Sequence, residues 1–224
     1  MQRSKIEWTD YSLNPVRGLC PVDCKDNQGK SYCYARKLYR RFKWEEEIDW
    51  CPRVFRELDK LKPGSRIFIG STMELFGPWV KDIWMQLTFE EVVLHPDLTF
   101  IFLTKCPERL LPWSPYPSNV HIGVSVTNQE MFEKAMKYLP YISAKVKFLS
   151  IEPMLSRILT TPGQLQRYIG LIILGSQTQP MRQPGRAWVQ DIIAAADQAG
   201  VPVFVKEPMA TAFGIQRKEF PQEG

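Results

Sequence analysis

The chain predicts an α/β fold built on parallel strands, a partial or small TIM-like (β/α)6–7 barrel. Three observations carry that expectation: apolar, β-branched-rich runs recur along the 224 residues, helical patterns lie between several of them, and the runs end in polar or ionisable residues. The runs are RIFIGS (66–71), LTFIFLT (98–104), NVHIGVSV (119–126), VKFLSI (146–151), LIILG (171–175) and VPVFVK (201–206). Each is continuously apolar or nearly so, as strands buried on both faces of a parallel sheet are. Segments 79–94 and 128–139 read as helices, the second with Met131, Ala135, Met136 and Leu139 on one stripe. A third helix, 186–199, presents Val189, Ile192, Ile193 and Ala196, and Gly200 supplies its stop. Strands alternating with helices mean right-handed βαβ units. A first short strand near 12–18 brings the count to about seven. The Pro-rich stretch LLPWSPYPSN (110–119) is expected to be a loop, and the polar tail from about Gly214 to fray. No repeat or linker divides the chain, so residues 1–224 are expected to form one domain.

Composition narrows the function classes. A hydrophobic fraction of 44% with 24% charged residues is ordinary for a globular protein. No apolar run approaches the roughly 20 residues that span a bilayer, so no membrane partner is expected. The start, MQRSKIEWTD, has no apolar signal region, which points to the cytoplasm. In that reducing setting clustered thiols are metal ligands or reactive groups more often than disulfides. A net charge of +5 permits a nucleic-acid partner without requiring one.

The strand ends come next. RIFIG leads to Ser71, Thr72, Met73 and Glu74; FIFL to Thr104 and Lys105; HIGV to Ser125; KFLS to Glu152; LIILG to Ser176 and Gln177; VPVFV to Lys206 and Glu207. In a parallel β/α architecture these ends share one face, and sites are built there. Loops must also become polar where they meet water, but that accounts less well for ionisable groups directly at the last strand position.

The densest chemistry lies in CPVDCKDNQGKSYCYA (20–35), which holds three of the five cysteines at a C-x3-C-x8-C spacing. A closed zinc site wants four ligands, and Cys51 and Cys106 could complete one only through the fold. His121 sits in an apolar strand as a core histidine would. A disulfide plus a free thiol is disfavoured by compartment, and three unrelated buried cysteines sit poorly in so polar a loop. The fourth option is an iron–sulfur cluster on three thiolates, with one iron left open.

A three-cysteine loop after the first strand, followed directly by an aromatic residue, resembles the radical S-adenosylmethionine superfamily. More closely, the chain resembles an uncharacterised phage- and prophage-associated family of three-cysteine-motif proteins. The matching stretches are SKIEWTDYSLNPVRG (4–18), CYA (33–35), LTKCPERL (103–110), NVHIGVSVTNQ (119–129), FLSIEPML (148–155) and GVPVFVKEP (200–208). The resemblance implies that Cys20, Cys24 and Cys33, in a loop spanning 19–35, bind three irons of a 4Fe–4S cluster. The fourth iron would take S-adenosylmethionine by its amino and carboxylate groups. It also implies Tyr34 beside the adenine, Ser71, Met73 and Glu74 near the methionine amino group, Ser125 near the ribose, and Glu152 on cofactor or substrate. The implied chemistry is one-electron cleavage of the sulfonium to methionine and a 5′-deoxyadenosyl radical. Its electron would come from a flavodoxin- or ferredoxin-type reductant, and its substrate is open, nucleotides and nucleic acids included.

Two departures stand out. The superfamily's common spacing is C-x3-C-x2-C, so six extra residues separate the last pair of thiols here. Closure entropy grows by only about 0.6 kcal/mol per doubling of loop length, so the longer loop is affordable. GSQTQP (175–180) also stands where the phage family writes a Gly-Gly-Glu-Ser-Gly-like segment.

Lys105, Glu152 and Lys206 are the candidate catalytic groups, with ion pairing at the barrel rim as the plain alternative for the lysines. Arg36, Lys37, Arg40, Arg41 and Lys43 make the segment after the loop basic, with Tyr34, Leu38 and Phe42 every fourth residue as its apolar face. That is either a helix packed on the barrel or a landing strip for nucleic-acid phosphates. The segment 107–119 is expected to cap the barrel mouth. No P-loop, nucleophile elbow or zinc-protease motif occurs. The rival function is a non-catalytic nucleic-acid-binding or phage accessory protein with structural zinc.

Overall fold

The computed structural model describes residues 2–221. By contact the chain divides into two compact units. One holds the residues up to His121 together with Ser143–Lys145, the other Ile122–Ile142 and the residues from Val146 on.

The first unit contains β1 (Gln2–Arg3), β2 (Tyr11–Leu13), β3 (Val16–Arg17), α1 (Tyr34–Phe42), β4 (Asp49–Trp50), β5 (Arg66–Ile69), α2 (Asp82–Leu94) and β6 (Thr99–Thr104). β7 (Val120–Ser125) begins in it. β1 lies antiparallel on β2, while β2, β5 and β6 run parallel, with Leu13 opposite Ile69 and Ile69 opposite Phe102. Ile67, Ile69, Phe100, Phe102 and Leu110 are fully buried, each such side chain worth roughly 1.5–3 kcal/mol of transfer free energy.

The second unit adds α3 (Gln129–Tyr138), β8 (Val146–Ile151), α4 (Pro162–Tyr168), β9 (Leu171–Leu174), the hairpin β10 (Gln177–Thr178) and β11 (Met181–Arg182), α5 (Arg186–Ala199), β12 (Val203–Val205) and α6 (Met209–Phe213). β8, β9 and β12 are parallel neighbours. LIIL and VFV are buried at every position, which explains their unbroken apolar sequence. Local chemistry sets the helix ends. The Asn128 side chain accepts the Met131 amide at 2.9 Å. Thr161 and Gln164 form a reciprocal capping box behind Pro162. Gly200 closes α5 at φ +66°. Gly123 leaves room for a ring, since a Cβ there would lie 2.1 Å from Phe148 Cζ.

The fold class is therefore the expected one: mixed α/β, with seven parallel strands in the order β2-β5-β6-β7-β8-β9-β12, β1 added at one edge, and flanking helices, a partial TIM-like sheet. Among the described residues no helix is long and apolar enough to cross a membrane.

Four local readings change. The helix expected from residue 79 begins at Asp82, because the residues after β5 form tight turns as far as Val80, whose amide bonds to the Gly77 carbonyl at 3.1 Å. The stretch read as a Pro-barred loop is partly a 3-10 helix, Pro107–Trp113, whose i→i+3 pattern tolerates Pro112. The expected face of α1 at Tyr34, Leu38 and Phe42 is not the packed one; Ala35 and Tyr39 are buried, while Tyr34 and Phe42 are exposed. The segment after Gly214 docks on β12 as far as it is described. The Val205 amide donates to the Arg217 carbonyl at 2.8 Å and the Glu219 amide to the Val203 carbonyl at 3.3 Å.

Candidate active site

The cysteine loop leaves β3 and enters α1, and its eight-residue gap folds back on itself. Lys25 and Ser31 pair across an antiparallel bridge. The Asp26 amide bonds to the Lys30 carbonyl at 2.9 Å, and the Tyr32 amide returns to the Cys24 carbonyl at 2.9 Å. At the tip, Asp26 Oδ1 accepts the amides of Gln28 and Lys30 at 2.9 and 3.0 Å, and Gly29 turns at φ +73°. The extra residues are thus extruded as a hairpin, which brings the segments carrying Cys24 and Cys33 together at its base.

Cys20 is buried, and its Sγ accepts the Glu74 amide at 3.4 Å. Its loop is clamped from α1, because Arg36 Nη2 donates to the Cys20 carbonyl at 2.8 Å while Nε pairs with Asp23 at 3.5 Å. Gly18 permits the approach: it sits at φ +112°, its amide donates to the buried Tyr39 hydroxyl at 2.9 Å, and a Cβ would lie 2.5 Å from the Glu47 carbonyl oxygen. Only glycine fits there.

Glu74, buried after β5, organises the opposite wall. Its Oε1 accepts the Thr104 hydroxyl at 2.5 Å and the Phe76 amide at 3.3 Å, and Oε2 accepts the Lys105 amide at 2.7 Å. Three donors offset much of the cost of burying a carboxylate. Ser71 exchanges hydrogen bonds with the Asn14 amide group at 3.2 and 3.3 Å, and the Thr72 amide donates to Asn14 Oδ1 at 3.1 Å. The Tyr34 hydroxyl donates to the Ser71 carbonyl, tying the start of α1 to the end of β5. Met73 contributes its side chain to the core.

The electrostatics of this wall are coupled. Burial pushes the Cys20 thiol up. Cys24 is raised by the hydrogen bond it shares with Cys33 and then by burial, whereas Cys33, the stabilised partner, is pushed down to about 6. Burial, with Cys24 next, raises Tyr32 to about 12. Lys105 is enclosed, which favours loss of its proton, but the negative potentials of Cys24, Glu74, Tyr32 and Cys20 outweigh burial and its pKa rises.

The remaining candidates belong to the second unit. Ser125 is buried at the end of β7. Glu152 follows β8 and pairs with Lys206 beyond β12, so the ion pair weighed from sequence is formed. Gly175 exists for Glu152, as a Cβ there would lie 2.8 Å from its Cγ. Ser176 bonds to Gln183, and the buried Gln177 donates to the Pro180 carbonyl at 3.2 Å. Glu207 binds the amide and hydroxyl of Thr211 at 3.2 and 2.8 Å.

The donor set suits an iron–sulfur cluster. All five cysteines are free of disulfides; Cys24 lies within reach of the charges of both Cys20 and Cys33, and all three within that of the Lys105 ammonium. Among the described residues no three His, Cys, Asp or Glu side chains gather tightly enough to hold a single metal ion. A cluster instead takes its thiolates at separate irons.

Sequence reasoning missed Asn14, Tyr32, the clamping of the cysteine loop by Arg36 and the anchoring of Glu74 by Thr104. Asn14 had the signal of a polar residue directly after the short first strand and before Pro15; Tyr32 and Arg36 had none, because what they contact is set by the folding of the loop and not by local periodicity. No curated protein and no solved structure matches the chain. The family description "Protein of unknown function (DUF5131)" matches residues 3–215. The chain belongs to that family, DUF5131.

Proposed function

We propose that the protein is an enzyme of the radical S-adenosylmethionine type, acting in the cytoplasm, with Cys20, Cys24 and Cys33 as ligands of a 4Fe–4S cluster and S-adenosylmethionine as co-substrate. One observation carries the reading. The hairpin at 25–31 removes the excess spacing, so a C-x8-C pair behaves as near neighbours, and the third thiol joins them in the field of Lys105. When bound, the cluster would supply the electron that cleaves the sulfonium of S-adenosylmethionine.

The chain's own residues have separate tasks. Lys105 supplies a fixed positive charge against three thiolates, which eases gathering so much negative charge in one place. Glu74 holds the Lys105 backbone and turns its own amide to Cys20, fixing the loop against the end of β5. Tyr34 places an aromatic ring at the site's rim, its hydroxyl already engaged with Ser71. Glu152 and Lys206 are the groups proposed to orient substrate or move a proton in the second unit. The electron donor is a flavodoxin- or ferredoxin-type reductant, and the substrate is left open, nucleotides and nucleic acids included.

Anaerobic reconstitution with iron and sulfide tests the reading. The expected result is a brown protein with about four irons per chain, lost when any of the three cysteines becomes Ser, that releases 5′-deoxyadenosine from S-adenosylmethionine after dithionite reduction. Zinc in place of iron, or a cluster-loaded sample that releases none, overturns it.

A further inference from the structure

The far end of α1 carries an exposed arrangement that the cysteine site does not use. Phe42 and Trp44 are 52% and 45% exposed, yet their rings stack at 5.5 Å with planes 19° apart. The pair is built in rather than loose. Lys43 adopts the left-handed conformation at φ +50°, the one non-glycine residue to do so among the described residues, and this turns Trp44 back over the helix end. There the Trp44 amide bonds to the Tyr39 carbonyl at 3.2 Å, and its ring meets buried Tyr39 edge-on at 5.2 Å. The Arg41 guanidinium lies 5.3 Å from the Phe42 ring centre.

Cations neighbour the rings along the chain, and Arg41 lies against one of them. Arg40, Arg41 and Lys43 are all exposed, and among the described residues none forms an ion pair, although Glu45, Glu46 and Glu47 follow directly. The helix dipole accounts for a cation or two at this end, but not for exposed stacked rings beside them. An apolar partner protein would cover the rings and bury the unpaired cations at a cost. A single-stranded polynucleotide meets both demands, because every base has a π-face to stack and every linkage a phosphate to pair. Duplex fits poorly, since its bases are already stacked. The neighbouring glutamates keep the patch from being uniformly positive, so stacking leads and charge assists.

We infer that the Phe42–Trp44 stack, with Arg40, Arg41 and Lys43, is a binding platform for single-stranded nucleic acid. It rests on α1 and its C-terminal turn alone and stands whether or not the cysteine loop holds a cluster. Tyr34 begins the same helix, so a strand lying along α1 would run toward the cysteine loop, about 13 Å away.

The test is fluorescence anisotropy of labelled oligo(dT) with the full chain, against a duplex of mixed sequence. Binding is expected to favour the single strand by about tenfold or more, with log K falling against log salt at a slope near about −2 for three phosphate contacts. Phe42→Ala and Trp44→Ala should each weaken it about tenfold. Phe42→Tyr should retain it, and Arg40→Gln with Arg41→Gln should flatten the salt slope. Phe42 faces solvent, so its alanine variant keeps the fold, which circular dichroism checks. Equal affinity for duplex, undiminished binding by Phe42→Ala, or no binding overturns the proposal. So does a patch that only drives self-association, seen by sedimentation and abolished by Phe42→Ala.

Discussion

At His121 a single ring converts its surroundings into a pH dependence. Burial, and then Lys145 and Arg66, push its pKa down to about 4, against about 6.5 in the unfolded chain. Between those values the unfolded chain holds a proton that the folded chain refuses. Stability is therefore full above about 6.5, declines as pH falls through the interval, and has lost this contribution, at most about 3 kcal/mol, below about 4. Urea unfolding of wild type and His121→Gln at a series of pH values should show the steeper acid loss in wild type. Parallel curves would remove the histidine from the account. Sequence alone placed this histidine in an apolar strand, and that much was legible. The cations facing it come from residues 66 and 145 and were not. Glu74 repeats the lesson: its strand-end position was readable, whereas its anchoring by Thr104 and Lys105 depends on the register of β5 against β6.

Among the elements, the hairpin at 25–31 carries the most consequence, because it turns an unusual cysteine spacing into an ordinary proximity. Asp26 is its fastener, one carboxylate oxygen holding two amides at the tip. Asp26→Ala should release both, at a cost of about 1 kcal/mol. Amide exchange at Gln28 and Lys30 is then expected to quicken about fivefold or more while the amides of β5 and β6 stay protected. Unchanged exchange at the tip would mean that the backbone bridge alone suffices. The polar DNQG stretch was legible as loop. That the turn closes a strand-like pair beside two thiols was beyond local reading, since bridge formation depends on residues 25 and 31 meeting in space. The same limit applies to α1, where a four-residue apolar spacing pointed to Tyr34, Leu38 and Phe42 as the packed face. The core took Ala35 and Tyr39, because Tyr39 receives the Gly18 amide and thereby sets the helix rotation.

For the whole molecule, a mostly parallel sheet must manage its two edges, which otherwise offer unpaired amides to other chains. β1 covers the β2 side. At β12 the segment after Gly214 does this work: Lys218 bridges Phe204, Phe220 packs on the Phe204 ring at 5.2 Å, and the Glu219 carboxylate takes the Val203 amide at 2.9 Å while Arg217 grips Glu219 at 2.6 Å. Deleting the chain after Gly214 should cost about 2–4 kcal/mol through lost hydrogen bonds and apolar contact, and should shift the protein toward aggregates on size exclusion. A truncated chain as stable and monodisperse as the full one would refute this role. The polar composition of 215–221 suggested fraying, because composition reports affinity for water and not the presence of a strand edge to receive it. By itself the sequence determined the α/β class, the order of the six long apolar strands and of the three helices at 79–94, 128–139 and 186–199, the polar strand ends and the cysteine trio, since these follow from periodicity and residue chemistry along the chain. The tertiary structure alone decided which thiols become neighbours, which charges face Lys105 and His121, and which face of α1 is left to solvent, because each depends on groups brought together only when distant segments pack.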